Sequence, residues 1–239
     1  MSNQNIASKD RLIFAVDVPD CGRARELVTE LGDAVTFYKI GLELMMSGGY
    51  FELLAWLLAM DKKVFCDLKF FDIPATVGSA VSQLKDRGAS FVTVHGNQSI
   101  MEAAAQNKGD SLKVLGVTVL TSLDRGDLDD LGFACDIEEL VISRARRALE
   151  AGCDGVISSG LEVPKLREQI GQKLLVVTPG IRPVDNKPAG DQKRVVTVET
   201  AFANGADHIV VGRPIRDAAD PRAAAEAIQV TIADQVGAR

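Results

Sequence analysis

The chain has 239 residues, of which 46% are hydrophobic and 25% are charged, and its formal net charge is −6. This length and composition fit an ordinary globular protein with one large α/β domain or two small ones. The negative charge argues against bulk attraction to nucleic acid or to an anionic membrane, and no apolar run approaches the roughly 18 residues of a membrane span.

Short β-rich runs recur along the chain, and helix-like stretches lie between them. We predict strands over Leu12–Val18, Phe37–Gly41, Val64–Lys69, Phe91–Gly96, Lys113–Thr121, Gly155–Ser159, Leu174–Gly180 and His208–Arg213. Helices are predicted over Arg23–Leu31, Phe51–Met60, Thr76–Arg87, Glu138–Ala151, Val163–Ile170 and Pro221–Val236.

About eight βα units in a chain of this length are typical of a (β/α)8 TIM barrel. A doubly wound open sheet is disfavoured, because the first strand ends in Asp17-Val18-Pro19-Asp20 and not in a GxGxxG turn. We therefore predict an α/β fold with a single TIM-barrel domain over residues 1–239.

Two long polar loops interrupt this pattern. One is predicted at Asp124–Asp136, after strand five, and the other at Arg182–Arg194, after strand seven. The second is rich in Pro, Gly and Asp, as mobile lids are, although a plain solvent loop is the alternative.

Neither a metal nor an organic cofactor is indicated by the cysteines and histidines. Cys21, Cys66, Cys135 and Cys153 form no CxxC pair, and the chain has only two histidines. We expect reduced structural thiols, as is usual in the cytoplasm, and the polar N-terminus shows no apolar secretion signal. We therefore expect a cytoplasmic protein.

The predicted strand ends carry most of the polar residues that could do chemistry. Catalytic groups of TIM barrels come from the carboxyl ends of the strands. The densest group is Asp67-Leu68-Lys69-Phe70-Phe71-Asp72-Ile73-Pro74. Because side chains alternate along a strand, Asp67 and Lys69 point the same way, and Lys39 ends the preceding strand. We expect these charges in the barrel mouth, although an ordinary buried ion-pair network is the alternative.

An anion site is predicted at the end of strand eight. A phosphate group prefers backbone N–H groups near a helix start and an arginine beside them, and TIM barrels often hold phosphate there. Gly212 and Arg213 stand at this position, and Arg182 and Gln192 in the predicted lid could close over the anion. His95 follows strand four, where a structural role and a ligand contact both remain open.

These motifs together resemble the orotidine 5′-monophosphate decarboxylase family along nearly the whole chain. The specific combination is DxKxxDIP at residues 67–74, TPGIRP at residues 178–183 and VGRP at residues 211–214. One departure is Phe71, where many bacterial members have histidine. It is not one of the family's catalytic positions.

The resemblance implies an enzyme that converts orotidine 5′-monophosphate to UMP and carbon dioxide without a cofactor. It implies that Asp17 and Lys39 hold the ribose hydroxyls, that Asp67 lies beside the substrate carboxylate, and that Lys69 lies beside C6. In a homodimer with shared active sites, Asp72 and Thr76 would come from the partner subunit, and Asp72 would complete a charged network with Lys39, Asp67 and Lys69. The remaining substrate-binding positions implied are Thr121 and Ser122 for the pyrimidine, Arg182, Gln192, Gly212 and Arg213 for the phosphate and lid, and Pro179.

Two alternatives are a related enzyme and a protein of another functional class. Metal-dependent sister barrels, of the hexulose-6-phosphate synthase or ketogulonate-phosphate decarboxylase type, share DxKxxD but carry an acidic residue where this chain has Lys39, which would repel Mg²⁺. A catalytically inactive, nucleotide-sensing barrel would be expected to lack part of the charged tetrad, and all four residues are present.

Overall fold

The structure, a computed structural model, describes residues 6–182 and 194–237. Eight parallel strands form a closed barrel in the order β1 to β8, each paired with its neighbours in sequence and β8 with β1. The strands are β1 Leu12–Ala15, β2 Phe37–Gly41, β3 Lys63–Phe70, β4 Phe91–Val94, β5 Lys113–Val117, β6 Gly155–Ile157, β7 Leu175–Thr178 and β8 His208–Val211. This confirms the predicted TIM barrel.

Helices surround the barrel. They are α1 Cys21–Leu31, α2 Leu42–Met46, α3 Tyr50–Ala59, α4 Pro74–Lys85, α5 Gln98–Asn107, α6 Arg125–Asp130, α7 Ile137–Glu150, α8 Val163–Ile170, α9 Val198–Ala203, α10 Arg213–Arg216 and α11 Pro221–Gly237. Within the described ranges, no helix has the length and apolar character needed to cross a membrane.

Strand alternation divides the apolar residues into two cores. Inward-facing side chains fill the barrel interior, among them Phe37, Phe65 and Phe91. The intervening residues, such as Tyr38 and Cys66, face the helices and join the larger outer core. The parity that directs Phe37 and Phe65 inward also directs Lys39 and Asp67 inward, one step nearer the carboxyl end.

Buried side chains close the amino-terminal end of the barrel through hydrogen bonds to the backbone. The carboxylates of Asp154 and Asp207, just before β6 and β8, accept the backbone N–H groups of Val114 and Val176 on the preceding strands. His208 lies fully inside this floor, where its Nδ1 is 2.9 Å from the Asp10 carbonyl oxygen. These contacts leave the carboxyl end as the open face.

Several predicted boundaries were wrong in the same direction. Most strands end two to four residues earlier than predicted, because the chain leaves the ladder as soon as it reaches the mouth; β5 stops at Val117, and Arg213 begins α10. The predicted loop Asp124–Asp136 contains α6, which a reciprocal capping box between Asp124 and Asp127 stabilises. Its Gly and Asp content favoured a loop, whereas the capping geometry favours a short helix.

Candidate active site

Four charged side chains of alternating sign form a chain across the barrel mouth. Lys39 Nζ lies 3.1 Å from Asp17 Oδ1 and 3.4 Å from Asp67 Oδ2. Lys69 Nζ lies 2.8 Å from Asp67 Oδ1. Exposure increases toward the ends of this chain, since the side chains of Lys39 and Asp67 are 11% and 12% exposed, compared with 33% for Lys69 and 49% for Asp17. We call these four residues the charged cluster.

The geometry of β3 brings Asp67 and Lys69 to the same face. Cys66 pairs with Val92 and Phe70 pairs with Val94, so three residues of β3 lie opposite the single residue Thr93 of β4. Lys69 lies within this bulge with a φ of +47°, in the left-handed region that non-glycine residues rarely occupy. Such a conformation costs about 1 kcal/mol or more and persists only where the surroundings impose it.

The cluster holds its central members in their charged forms. Burial by itself would lower the pKa of Lys39, but the carboxylates of Asp67 and Asp17 outweigh this and raise it. Burial would likewise raise the pKa of Asp67, but Lys39, Lys69 and a hydrogen bond from Thr93 lower it. Alternation of sign thus lets charges remain in a site that excludes much of the water.

Above the cluster lies a cavity of about 580 Å³, which is lined by residues from the carboxyl ends of most strands. Of the residues predicted from sequence, the structure places Asp17, Lys39, Asp67, Lys69, Thr121, Ser122, Pro179, Arg182, Gly212 and Arg213 on its wall. Gln192 lies outside the described residues, as does most of the predicted lid.

One end of the predicted lid is anchored in the core. Arg194 Nη1 lies 2.6 Å from Glu162 Oε1, and both side chains are about nine-tenths buried. Arg194 Nη2 donates to the carbonyl oxygens of Val119 and Leu120, in the segment that leads to Thr121. Arg194 therefore ties the segment after β7 to the loop after β5.

Asp72 and Thr76 do not line this chain's own cavity. Both residues are exposed, and Asp72 Oδ1 accepts the N–H of the next residue, Ile73, at 2.6 Å. Within residues 6–182 and 194–237, Asp17 and not Asp72 is the fourth member of the charged cluster.

Three nearby residues were not identified from the sequence. Glu43 and Arg216 line the cavity, and the Arg216 guanidinium donates to the Asp17 carbonyl oxygen at 2.6 Å. Thr93 lies directly beneath Asp67. Its inward parity with Phe91 on β4 was the available signal. His95 packs against the Phe71 ring at 5.5 Å between centroids, and its pKa is lowered by burial and by the nearby charges of Arg144 and Lys69.

Other features of the described part of the chain are less suited to chemistry. No group of three or more His, Cys, Asp or Glu side chains in residues 6–182 and 194–237 could hold a metal ion, and the four cysteines are free. A groove of about 690 Å³ runs along α7 and α8, away from the strand ends. It is lined by charges of both signs and contains no buried ion cluster comparable to that in the mouth.

Comparisons with known proteins agree on one family. A profile described as orotidine 5′-phosphate decarboxylase / HUMPS family matches residues 10–228. An orotidine 5′-phosphate decarboxylase of Methylococcus capsulatus is 68% identical over 234 residues, covering 98% of this chain and 96% of that protein. One from Stenotrophomonas maltophilia is 51% identical over 232 residues, covering 96% and 95%. The crystal structure of the Lactobacillus acidophilus orotidine 5′-phosphate decarboxylase superimposes with a TM-score of 0.83 at 36% identity, covering 93% of this chain and 99% of that one.

Proposed function

The chain belongs to the orotidine 5′-phosphate decarboxylase / HUMPS family, and we propose that it converts orotidine 5′-monophosphate to UMP and carbon dioxide, the last step of de novo UMP biosynthesis. The observation that carries this proposal is the Lys69 ammonium, which is held 2.8 Å from the Asp67 carboxylate at the floor of the cavity. The test is the loss of orotidylate absorbance when purified protein is added. Unchanged absorbance, with UMP formation also absent, would refute the proposal.

The reaction breaks the bond between C6 and the substrate carboxylate and leaves an electron pair on C6. That pair lies in the plane of the ring, so the ring carbonyls stabilise it poorly by resonance. A fixed ammonium beside C6 stabilises the developing charge and then donates the proton that completes UMP. Lys69 has this role in our proposal, and water returns its proton. Asp67 places negative charge beside the departing carboxylate, while Lys39 keeps Asp67 ionised.

The cavity offers complementary groups for the rest of the nucleotide. We assign the ribose hydroxyls to Asp17 and Lys39, which lie 3.1 Å apart on one side of the mouth. The phosphate is assigned to Gly212 and Arg213, where the missing side chain of glycine leaves room beside an arginine. The remaining assignments, which follow the family resemblance, are Thr121 and Ser122 for the pyrimidine, Arg182 and Gln192 for the phosphate, and Pro179 as a further substrate contact.

We further propose a homodimer in which Asp72 and Thr76 complete the active site of the partner subunit. One observation in support is that both residues are exposed and lie outside their own chain's cavity. Another is that Asp72 is flanked by Phe71 and Ile73, which are 70% and 66% exposed. Large exposed apolar side chains around a charged residue are typical of an interface. Leu42, which lines the mouth, is a further large apolar residue that is 58% exposed.

Mixing two inactive variants tests the shared site. Lys69→Ala and Asp72→Ala each remove one member of the proposed network of Lys39, Asp67, Lys69 and the partner's Asp72. If Asp72 acts in the partner's site, a hybrid dimer has one intact site, and random remixing makes about half of the dimers hybrid, so about a quarter of full activity returns. Lys69→Ala mixed with Asp67→Ala is the matched control, because those two residues lie in the same site and mixing restores nothing. Absence of recovery in the first mixture, with subunit exchange verified by a tagged chain, would refute the shared site.

The metal-dependent sister reaction is the alternative function. It is disfavoured because Lys39, an ammonium buried between two carboxylates, occupies the strand-two end where those barrels carry an acidic residue. Exhaustive EDTA treatment should leave activity unchanged. A loss of activity that Mg²⁺ restores would favour the sister reaction. The four free cysteines fit a cytoplasmic location, which stays a prediction.

A further inference from the structure

Thr93, on β4, lies under the charged cluster without lining the cavity. Its side chain is completely buried. The Thr93 hydroxyl donates to Asp67 Oδ1 at 2.8 Å, and the Thr93 hydroxyl oxygen also accepts the backbone N–H of Lys69 at 3.0 Å. One hydroxyl therefore bonds the carboxylate of one charged residue and the backbone of the other.

The bulge in β3 explains why this hydroxyl is needed. Pairing with β4 is interrupted between Cys66 and Phe70, so the Lys69 N–H loses its place in the strand ladder. A buried N–H without a partner is costly. Lys69 is also in a left-handed backbone conformation, which is unfavourable for any residue with a side chain. The Thr93 oxygen supplies the missing acceptor and so stabilises the bulge that directs Lys69 into the mouth.

The same contact orients the carboxylate. Asp67 Oδ1 accepts from the Thr93 hydroxyl on one side and from Lys69 Nζ, at 2.8 Å, on the other. Asp67 Oδ2 faces Lys39 at 3.4 Å, and Lys39 in turn contacts Asp17. Each carboxylate oxygen therefore has a lysine partner, and Oδ1 also accepts from the neutral Thr93 hydroxyl. We infer that this third contact determines how the carboxylate is rotated.

We propose that Thr93 is a positioning residue that sets the geometry of the Asp67–Lys69 pair through its hydroxyl. The inference rests on the proposed decarboxylase function for its kinetic consequence, but its structural consequence does not depend on that function. If Thr93 only filled space, valine would replace it with little effect, because the two side chains differ by a methyl group in place of the hydroxyl.

Three variants separate positioning from packing. Thr93→Val removes the hydroxyl, and Thr93→Ser keeps it but removes the methyl group. Thr118→Val is the matched control, since Thr118 is also a buried threonine whose hydroxyl makes a hydrogen bond, in this case to the Ile157 carbonyl oxygen at 2.7 Å, without contacting the cluster. Each variant is assayed with orotidylate well below its unfolding temperature, and kcat is expressed per UMP-binding site, so that unfolded protein is not counted.

We expect Thr93→Val to lower kcat per site at least about tenfold, because small misplacements of a reacting group have large effects on rate. UMP affinity should change by less than about threefold, since ribose and phosphate contacts are untouched. Thr93→Ser should regain most of the turnover, and Thr118→Val should lose stability but keep kcat per site. Wild-type kcat in Thr93→Val, serine as slow as valine, or an equal loss in Thr118→Val would overturn the proposal.

A crystal structure of Thr93→Val provides a readout independent of turnover. We expect Lys69 to leave the left-handed region and its 2.8 Å contact with Asp67 Oδ1 to break. Retention of both features would overturn the positioning role, even if the wild-type protein proved inactive toward orotidylate. Wild-type inactivity would instead refute the proposed function.

Discussion

Replacement of Lys69 by alanine should almost abolish turnover while the protein still folds and binds UMP. The change removes the ammonium that we place beside C6. General-acid catalysis typically contributes about 10²- to 10⁴-fold, and a group that stabilises developing charge contributes about 10²- to 10³-fold. Both contributions are lost together, so kcat should fall by roughly 10⁴- to 10⁷-fold. UMP binding should persist, because we assign it mainly to ribose and phosphate contacts.

The fold should tolerate this change because Asp67 is not left without partners. Its carboxylate keeps Lys39 at 3.4 Å and the Thr93 hydroxyl at 2.8 Å. Lys69 is also one-third exposed, so water replaces part of its contact, and we expect a loss of only about 1 kcal/mol in the free energy of unfolding.

Lys63→Ala is the matched control. Lys63 begins the same strand and also contacts an aspartate, since its Nζ lies 2.6 Å from Asp10 Oδ2, but it lies at the closed end of the barrel. Its removal should leave kcat unchanged. The assays are the fall in orotidylate absorbance and the calorimetric titration of UMP. If Lys69→Ala retained even about a tenth of the wild-type kcat, Lys69 could not be the essential acid.

Further predictions concern phosphate binding, the buried ion pair and acid stability. Arg213→Ala should weaken transition-state binding of orotidylate by about 1.5–3 kcal/mol, the contribution of a hydrogen bond to a charged group, and so lower kcat/KM; an unchanged kcat/KM would place the phosphate elsewhere. Glu162→Gln leaves the Arg194 guanidinium buried without its carboxylate, so the free energy of unfolding in urea should fall by about 3–5 kcal/mol. The exposed Glu168→Gln should lose less than about 1 kcal/mol, and equal losses would contradict the argument. Burial lowers the pKa of His208 to about 3, so this group stays neutral in the fold but takes up a proton on unfolding below its ordinary value of 6.5. Its contribution to the free energy of unfolding should therefore decrease as the pH falls from 6.5 toward 3, by at most about 1.4 kcal/mol per pH unit. His208→Gln should remove this part of the dependence of the unfolding free energy on pH, measured in urea. An identical pH dependence in the variant would refute the assignment.

Much of the fold and site follows from local patterns in the sequence. The two-residue spacing of Phe37 and Lys39, and of Phe65 and Asp67, predicts that each pair lies on one face of its strand, because strand geometry has a period of two whatever the tertiary context. The order of βα units predicts the barrel itself, which the strand pairing confirms. From these two facts the sequence predicts that the charged residues lie in the mouth.

The boundaries of elements were less predictable because they depend on partners distant in sequence. The apolar run after Lys113 continues to Leu120, but β5 ends at Val117, where the Thr118 hydroxyl turns to the Ile157 carbonyl oxygen on β6. Arg194 reads as part of a polar loop, yet it is buried against Glu162, which precedes it by 32 residues. Neither contact leaves a periodic signal in the residues around it.

Only the tertiary structure decides how the Asp67–Lys69 pair is held. Nothing in the letters of β3 indicates that its pairing with β4 shifts between Cys66 and Phe70, or that Lys69 takes a left-handed conformation there. Thr93 looks like an ordinary strand residue until barrel closure brings its hydroxyl to Asp67 and to the Lys69 N–H. Local sequence determines the direction of a side chain through the two-residue period of a strand. The register between strands depends on the packing of the whole barrel, and that register fixes the positions of the charges to within a hydrogen-bond length.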